Sequence, residues 1–274
     1  MRRSAFYLPA ESGGQRFCVL TQPKGRARGS VVHVHPFAEE MNKSRRMVAL
    51  GAEAFARDGW AVLQIDLQGC GDSSGDFGDA SWQSWLDDVS LGVERLVAEV
   101  GGPVVLWGLR AGALVVSDWL KRRQEPHLVL LWQPVVGGRQ HFNQFMRVRG
   151  VSKMLEDSDA RSEIAAIRDD FRAGKAVEIA GYAVAARLAA ELEATNLDFV
   201  ASRCAGMAIF EVGSSERLTL SPVLASALEK WRSTGVEVVA AEVLPGPVFW
   251  QTQEIEVCPA LIERSVVALG RFVS

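Results

Sequence analysis

The sequence predicts an α/β protein with a mostly parallel central sheet, helices on both faces and an inserted helical cap. Three observations carry this expectation. Short apolar runs alternate with helix-spaced segments from 30 to 132, the pattern of strands joined by covering helices. One of those runs, Val104-Val105-Leu106-Trp107-Gly108-Leu109-Arg110-Ala111-Gly112-Ala113, breaks at glycine and restarts as an Ala/Leu/Val helix. The strand pattern then lapses from 137 to 196 and returns at 206–213 and 236–243, as it does when a helical segment is inserted into a sheet. The expected organisation is a core over 1–136, a helical cap over 137–198 and the remainder of the core over 199–274.

The elements follow in order. Segments 5–9 and 16–21 read as an antiparallel hairpin joined by Glu11-Ser12-Gly13-Gly14. Segment 30–35 is a β-branched strand stopped by Pro36, and 47–58 has helical apolar spacing closed by Gly59. Strand 60–65 runs into the glycine-rich loop Asp66-Leu67-Gln68-Gly69-Cys70-Gly71-Asp72-Ser73-Ser74-Gly75. Trp82, Trp85, Val89, Val93 and Leu96 mark a helix over 81–99, ended by Gly101-Gly102-Pro103. After the break at Gly108 come a helix over 111–123 and a strand over 128–132. The cap segment is rich in Arg and Gln early and in Ala later, and is expected to be helical without strands. Helices over 220–232 and 259–272 flank the last strand.

Composition narrows the function classes. With 48% hydrophobic and 23% charged residues the 274-residue chain reads as an ordinary globular protein. A formal charge of -3 argues against nucleic-acid binding through bulk electrostatics. The four cysteines are scattered and form no metal-like pair, so reduced thiols and no cofactor are expected. Met1-Arg2-Arg3-Ser4 precedes no long apolar run, and no window is long enough to span a bilayer, so a cytoplasmic protein without a transmembrane segment is expected.

Gly108-Leu109-Arg110-Ala111-Gly112 has the frame of a nucleophile elbow, G-x-S-x-G, with arginine in the serine position. Arginine has no nucleophilic lone pair and stays protonated, so it cannot attack a carbonyl. Together with Asp66, Gly69, Gly71 and Ser73 in a D-x-x-G-x-G-x-S pattern, and with His35-Pro36-Phe37 in the place of an oxyanion loop, the chain resembles the α/β-hydrolase family over nearly its whole length. That resemblance implies a triad in the order nucleophile, acid, histidine. The acid position, after 213, is open to Glu216. The histidine position, after 243, holds Leu244-Pro245-Gly246-Pro247-Val248-Phe249-Trp250, and His33, His35, His127 and His141 all precede it. Serine-type acyl transfer would lack its proton shuttle.

A narrower resemblance rests on Glu39-Glu40-Met41-Asn42-Lys43-Ser44-Arg45-Arg46, Gly108-Leu109-Arg110, Leu131-Trp132-Gln133-Pro134-Val135, Val177-Glu178-Ile179-Ala180-Gly181-Tyr182 and Pro247-Val248-Phe249-Trp250. These segments are similar to the group called exosortase A system-associated hydrolase 2, found in bacterial gene sets for exopolysaccharide production and PEP-CTERM protein sorting. The resemblance implies that arginine at the elbow is that group's pattern; with two of the three triad roles vacant, a pseudoenzyme is expected.

The candidate residues carry two readings each. Arg110, with the Ala111 N–H at a helix start, could bind a carboxylate or phosphate, or it could pair internally with Glu39, Glu40 or Glu216. A helix starting near Ser44 would leave Glu39, Glu40 and Asn42 on a loop facing the elbow, ready to accept hydrogen bonds from Arg110 or a polyol. Trp132 and Trp250 follow strands at the same edge and could floor a sugar or acyl site, or simply fill the core. His35, Cys70 and Glu216 are the weak catalytic candidates for an active esterase or acyl-transfer enzyme. Asp66 and Asp72 lack a metal-ligand spacing and read as loop hydrogen bonding. The leading expectation is binding of an anionic or carbohydrate-linked small molecule, or of a protein partner in exopolysaccharide assembly, without triad hydrolysis.

Overall fold

The computed structural model describes residues 1–154, 160–213 and 219–273. Strands β1 (Arg2–Pro9) and β2 (Gln15–Gln22) form the expected antiparallel hairpin at one edge of an eight-stranded sheet. The chain continues through β3 (Gly29–Val34), helix α1 (Glu39–Arg57), β4 (Trp60–Ile65), α2 (Trp82–Glu99), β5 (Val104–Leu109), α3 (Gly112–Lys121) and β6 (His127–Trp132). The segment that follows holds α4 (Gly138–Met154), α5 (Ala160–Arg172), the small hairpin β7 (Val177–Ile179) and β8 (Tyr182–Val184), and α6 (Ala186–Ala194). β9 (Cys204–Gly213), α7 (Pro222–Ser233), β10 (Val238–Pro245) and α8 (Pro259–Arg271) close the fold.

The strand order is β1-β2-β4-β3-β5-β6-β9-β10, and every pair from β4 to β10 is parallel. Alternation along each strand builds two cores. On β5, Val104 and Leu106 pack on the side of α2, α3 and α7, while Val105, Trp107 and Leu109 pack on the side of α1 and α8. The same rule divides β6, sending Val129 and Leu131 one way and Leu128, Leu130 and Trp132 the other. Such double burial is what the near-continuous apolar runs of parallel strands require.

Two expectations are corrected. The segment between β6 and β9 is not free of strands, because Ala180 (φ 50) and Gly181 (φ 82) make the tight left-handed turn that pairs β7 with β8. Helix α1 begins at Glu39, not near Ser44, so Glu39, Glu40 and Asn42 are helical and not on a loop. Two carboxylates in the first turn sit favourably against the positive end of the helix dipole. Among the described residues no helix is long and apolar enough to cross a membrane.

Candidate functional site

Backbone strain marks one edge of the sheet. Of the four non-glycine residues with positive φ among the described residues, Ala38 (φ 51), Arg110 (φ 53) and Gln133 (φ 42) follow the carboxyl ends of β3, β5 and β6. Such conformations persist only where surrounding contacts enforce them. For Arg110 the enforcement is visible: its N–H donates to the Trp132 carbonyl at 3.0 Å and its carbonyl accepts from the Val135 N–H at 3.2 Å. The flanking glycines are required by contact. A Cβ on Gly112 would lie 2.3 Å from the Val34 carbonyl oxygen, and one on Gly108 would lie 2.8 Å from the Ala113 Cα.

The elbow presents Arg110 to a carboxylate. Its Nη2 donates to Glu40 Oε1 at 3.0 Å, and its Nε lies 3.2 and 3.3 Å from Oε1 and Oε2. Both side chains are nearly buried, at 12% and 11% exposure, so the two charges must compensate each other. The guanidinium carbon also lies 5.4 Å from the Trp250 ring centroid, within cation–π range. Burial pushes the Glu40 carboxyl above the ordinary carboxylate value, and the Arg110 charge pulls it back. Of the two roles open to Arg110 in the sequence, the internal pair with Glu40 is the one whose geometry is present.

Over this pair opens a cleft of about 260 Å³. Helix α1 contributes Glu39, Glu40 and Lys43; α4 contributes His141, Gln144 and Phe145; Phe37 and the segment after β10, with Trp250 and Gln251, complete it. Lys43 is positioned by donating through Nζ to the Gln251 carbonyl at 3.1 Å. Three lining residues hold buried polar atoms with no hydrogen-bond partner among the described residues: Glu39 Oε2, Trp250 Nε1 and both ring nitrogens of His141. His141 is 6% exposed, and burial, followed by the Arg110 charge, pushes its pKa down to about 3, so the ring is neutral at ordinary pH. His141, Gln144, Phe145 and Gln251 are not among the site candidates of the sequence, while Phe37 and Lys43 enter there only as members of the His35-Pro36-Phe37 loop and the 39–46 segment.

The other candidates are placed elsewhere. Trp132 does not reach the cleft, which corrects the reading that it floors a ligand site. It is fully buried between Phe55, Trp107 and Phe249, with its Nε1 donating to Ser265 Oγ at 2.8 Å. His35 spends both ring nitrogens on backbone, with Nδ1 2.8 Å from the Pro36 carbonyl oxygen and Nε2 accepting from the Leu67 N–H at 3.2 Å. Cys70 is buried with its thiol pushed up by desolvation and by the charges of Asp66 and Asp88, which opposes thiolate formation. His35, Cys70 and Ala111 together line a small apolar cavity next to the elbow. Asn42 is exposed and accepts from Arg45 Nε at 3.2 Å. The Asp66 carboxylate accepts from Arg45 Nη2 at 3.3 Å and from the Asp72 N–H at 3.1 Å, a loop-holding role. Glu216 lies outside the described residues.

Comparison with known proteins places the fold. No curated protein sequence matches the chain. Among solved structures, a highly thermostable carboxyl esterase from Bacillus coagulans is similar with a TM-score of 0.66 at 14% identity, covering 100% of both chains. An α/β hydrolase from Penicillium sp. sh18 gives 0.64 at 14% identity, over 100% of this chain and 99% of the other. A soluble variant of monoglyceride lipase from Saccharomyces cerevisiae gives 0.61 at 13% identity, over 100% and 94%. At these identities the likeness establishes the α/β-hydrolase fold. The family model described as serine aminopeptidase, S33 matches residues 25–179. That match spans more than half of the 274 residues, and the chain belongs to the serine aminopeptidase S33 family of α/β hydrolases.

Proposed function

We propose that this chain is a binding member of its family, holding a small molecule in the cleft above Arg110 and Glu40 without serine-type hydrolysis. One observation carries the reading. The elbow position is filled by a guanidinium already committed to a carboxylate, and no histidine of the chain follows residue 141. A hydrolytic serine needs an imidazole to take its proton, and neither partner is supplied at the positions where the fold places them. His35 and Cys70, the alternative chemical groups, are held in backbone contacts and in an apolar cavity. The scattered similarity to exosortase-associated hydrolases supports a role in exopolysaccharide production, with an anionic or carbohydrate-linked ligand or a protein partner in that assembly. On this reading "hydrolase" describes the ancestry of the fold and not the reaction.

The test is turnover of a panel of p-nitrophenyl esters and acyl thioesters by purified protein. The expected result is no turnover above buffer by the wild type, and none by Arg110→Ser, which restores the hydroxyl but not the base. Turnover that survives Arg110→Ala and disappears in His35→Ala or Cys70→Ala overturns the reading.

A further inference from the structure

We propose that the group held in this cleft is uncharged and polyhydroxylated, a sugar ring or polyol and not an anion; the assignment rests on the binding reading above. The argument begins with charge. Glu39 and Glu40 bring two carboxylates to the cleft, while Lys43 and the adjoining Arg110 bring two cations. His141 is neutral, so the formal charges cancel. Both Glu40 oxygens already accept from Arg110, and Glu39 Oε2 is a buried acceptor without a partner among the described residues. An incoming carboxylate or phosphate would meet that acceptor with nothing to donate.

Hydrogen-bonding capacity decides further. Glu39 Oε2 needs a donor, Trp250 Nε1 needs an acceptor, and a neutral His141 ring needs one of each. An anion satisfies only acceptor roles and an ammonium only donor roles. A hydroxyl does both, and a ring bearing several hydroxyls can serve three residues drawn from α1, α4 and the segment after β10 at once. The volume of about 260 Å³ is just below the usual range for small-molecule sites and suits nothing larger than a single ring. Phe37 and Phe145 supply apolar wall for its C–H face. The indole of Trp250 is 2% exposed and has the Arg110 guanidinium over its ring, so it acts here through its N–H and not as a stacking platform.

The experiment is calorimetry and ligand-observed NMR on the full chain with methyl glucoside, methyl mannoside and glycerol as probes, against glucuronate and glucose phosphate. Neutral probes are expected to bind more tightly than their charged counterparts. Affinity should fall by about tenfold or more in His141→Phe, which leaves the buried hydrogen bonds unmade. Because His141 is buried, Gln144→Trp is the companion variant, filling the cleft from an exposed position of α4, and it should abolish binding. Tighter binding of the charged probes removes the assignment of an uncharged ligand and leaves the binding reading standing. Absence of binding by every neutral probe, or binding unaffected by both variants, also removes it. Ester turnover that depends on these cleft residues overturns the binding reading itself.

Discussion

Arg110 and Glu40 are 70 positions apart in sequence and form a nearly buried, two-pronged ion pair. Pairs of this kind are fragile to single substitutions, because removing one partner strands the other charge in a poor solvent. Arg110→Ala is therefore expected to lower unfolding free energy by about 3–5 kcal/mol, and Glu40→Ala by a similar amount. Replacing both with Met and Leu should cost much less, since an apolar pair leaves nothing unsatisfied. A double-mutant cycle by urea unfolding measures this, and single-variant losses below about 0.5 kcal/mol would contradict a compensating role for the pair. The elbow was legible at this scale because its signal is local: glycines at 108 and 112 flank a residue that β5 and α3 force to φ 53. The partner was not resolved, because the sequence left Glu39, Glu40 and Glu216 equally open. Only the start of α1 at Glu39 decides which carboxylate meets the elbow.

Among the elements, α4 does what the sequence shows least. His141 precedes both late triad positions and so falls outside the nucleophile–acid–histidine order, yet α4 carries it back to the cleft from the segment after β6. No short-range pattern encodes that return, which depends on α4 seating against α6. A Cβ on Gly138 would lie 1.8 Å from the Leu192 carbonyl oxygen and 3.0 Å from that of Thr195, so the glycine permits the approach. Gly138→Ala is expected to push α4 outward, weaken any cleft ligand by about tenfold and expose the segment between β6 and β9 to protease. Limited proteolysis and ligand titration of the variant check this, and wild-type behaviour in both would show that α4 does not depend on that contact. The strands, in contrast, were nearly all readable, because burial on both faces demands the continuous apolar runs that mark them. The β7–β8 hairpin was not, since its turn places alanine at a left-handed position usually marked by Asn or Gly.

At the scale of the whole molecule, buried histidines contribute a destabilising response to acid. His33 is buried with its ring centroid 4.4 Å from that of Trp107, and burial, then the charge of His35, pushes its pKa down to about 3. His141 is likewise held at about 3, by burial and the Arg110 charge. In the unfolded chain each titrates near 6.5, so below that pH the unfolded state takes up protons that the folded state refuses. Their stabilising contribution is therefore full above about pH 6.5 and is lost as pH falls toward about 3, at up to about 1.4 kcal/mol per unit for each ring. Between pH 7 and pH 5 the loss is roughly 2 kcal/mol for each. His35 and His127, both lowered by burial, act with the same sign. Glu40 and Asp88 act against it, since burial raises their carboxyls and the folded state gains as they protonate. With groups acting in both directions, the informative quantity is the difference between proteins. His141→Phe removes one titrating ring while leaving the carboxylates in place. Its unfolding free energy should vary with pH by roughly 2 kcal/mol less than that of the wild type between pH 7 and pH 5. Urea unfolding at the two pH values reads this directly, and an unchanged slope would mean that His141 titrates in the folded protein as it does in the unfolded chain, which contradicts a ring held neutral by burial in the cleft.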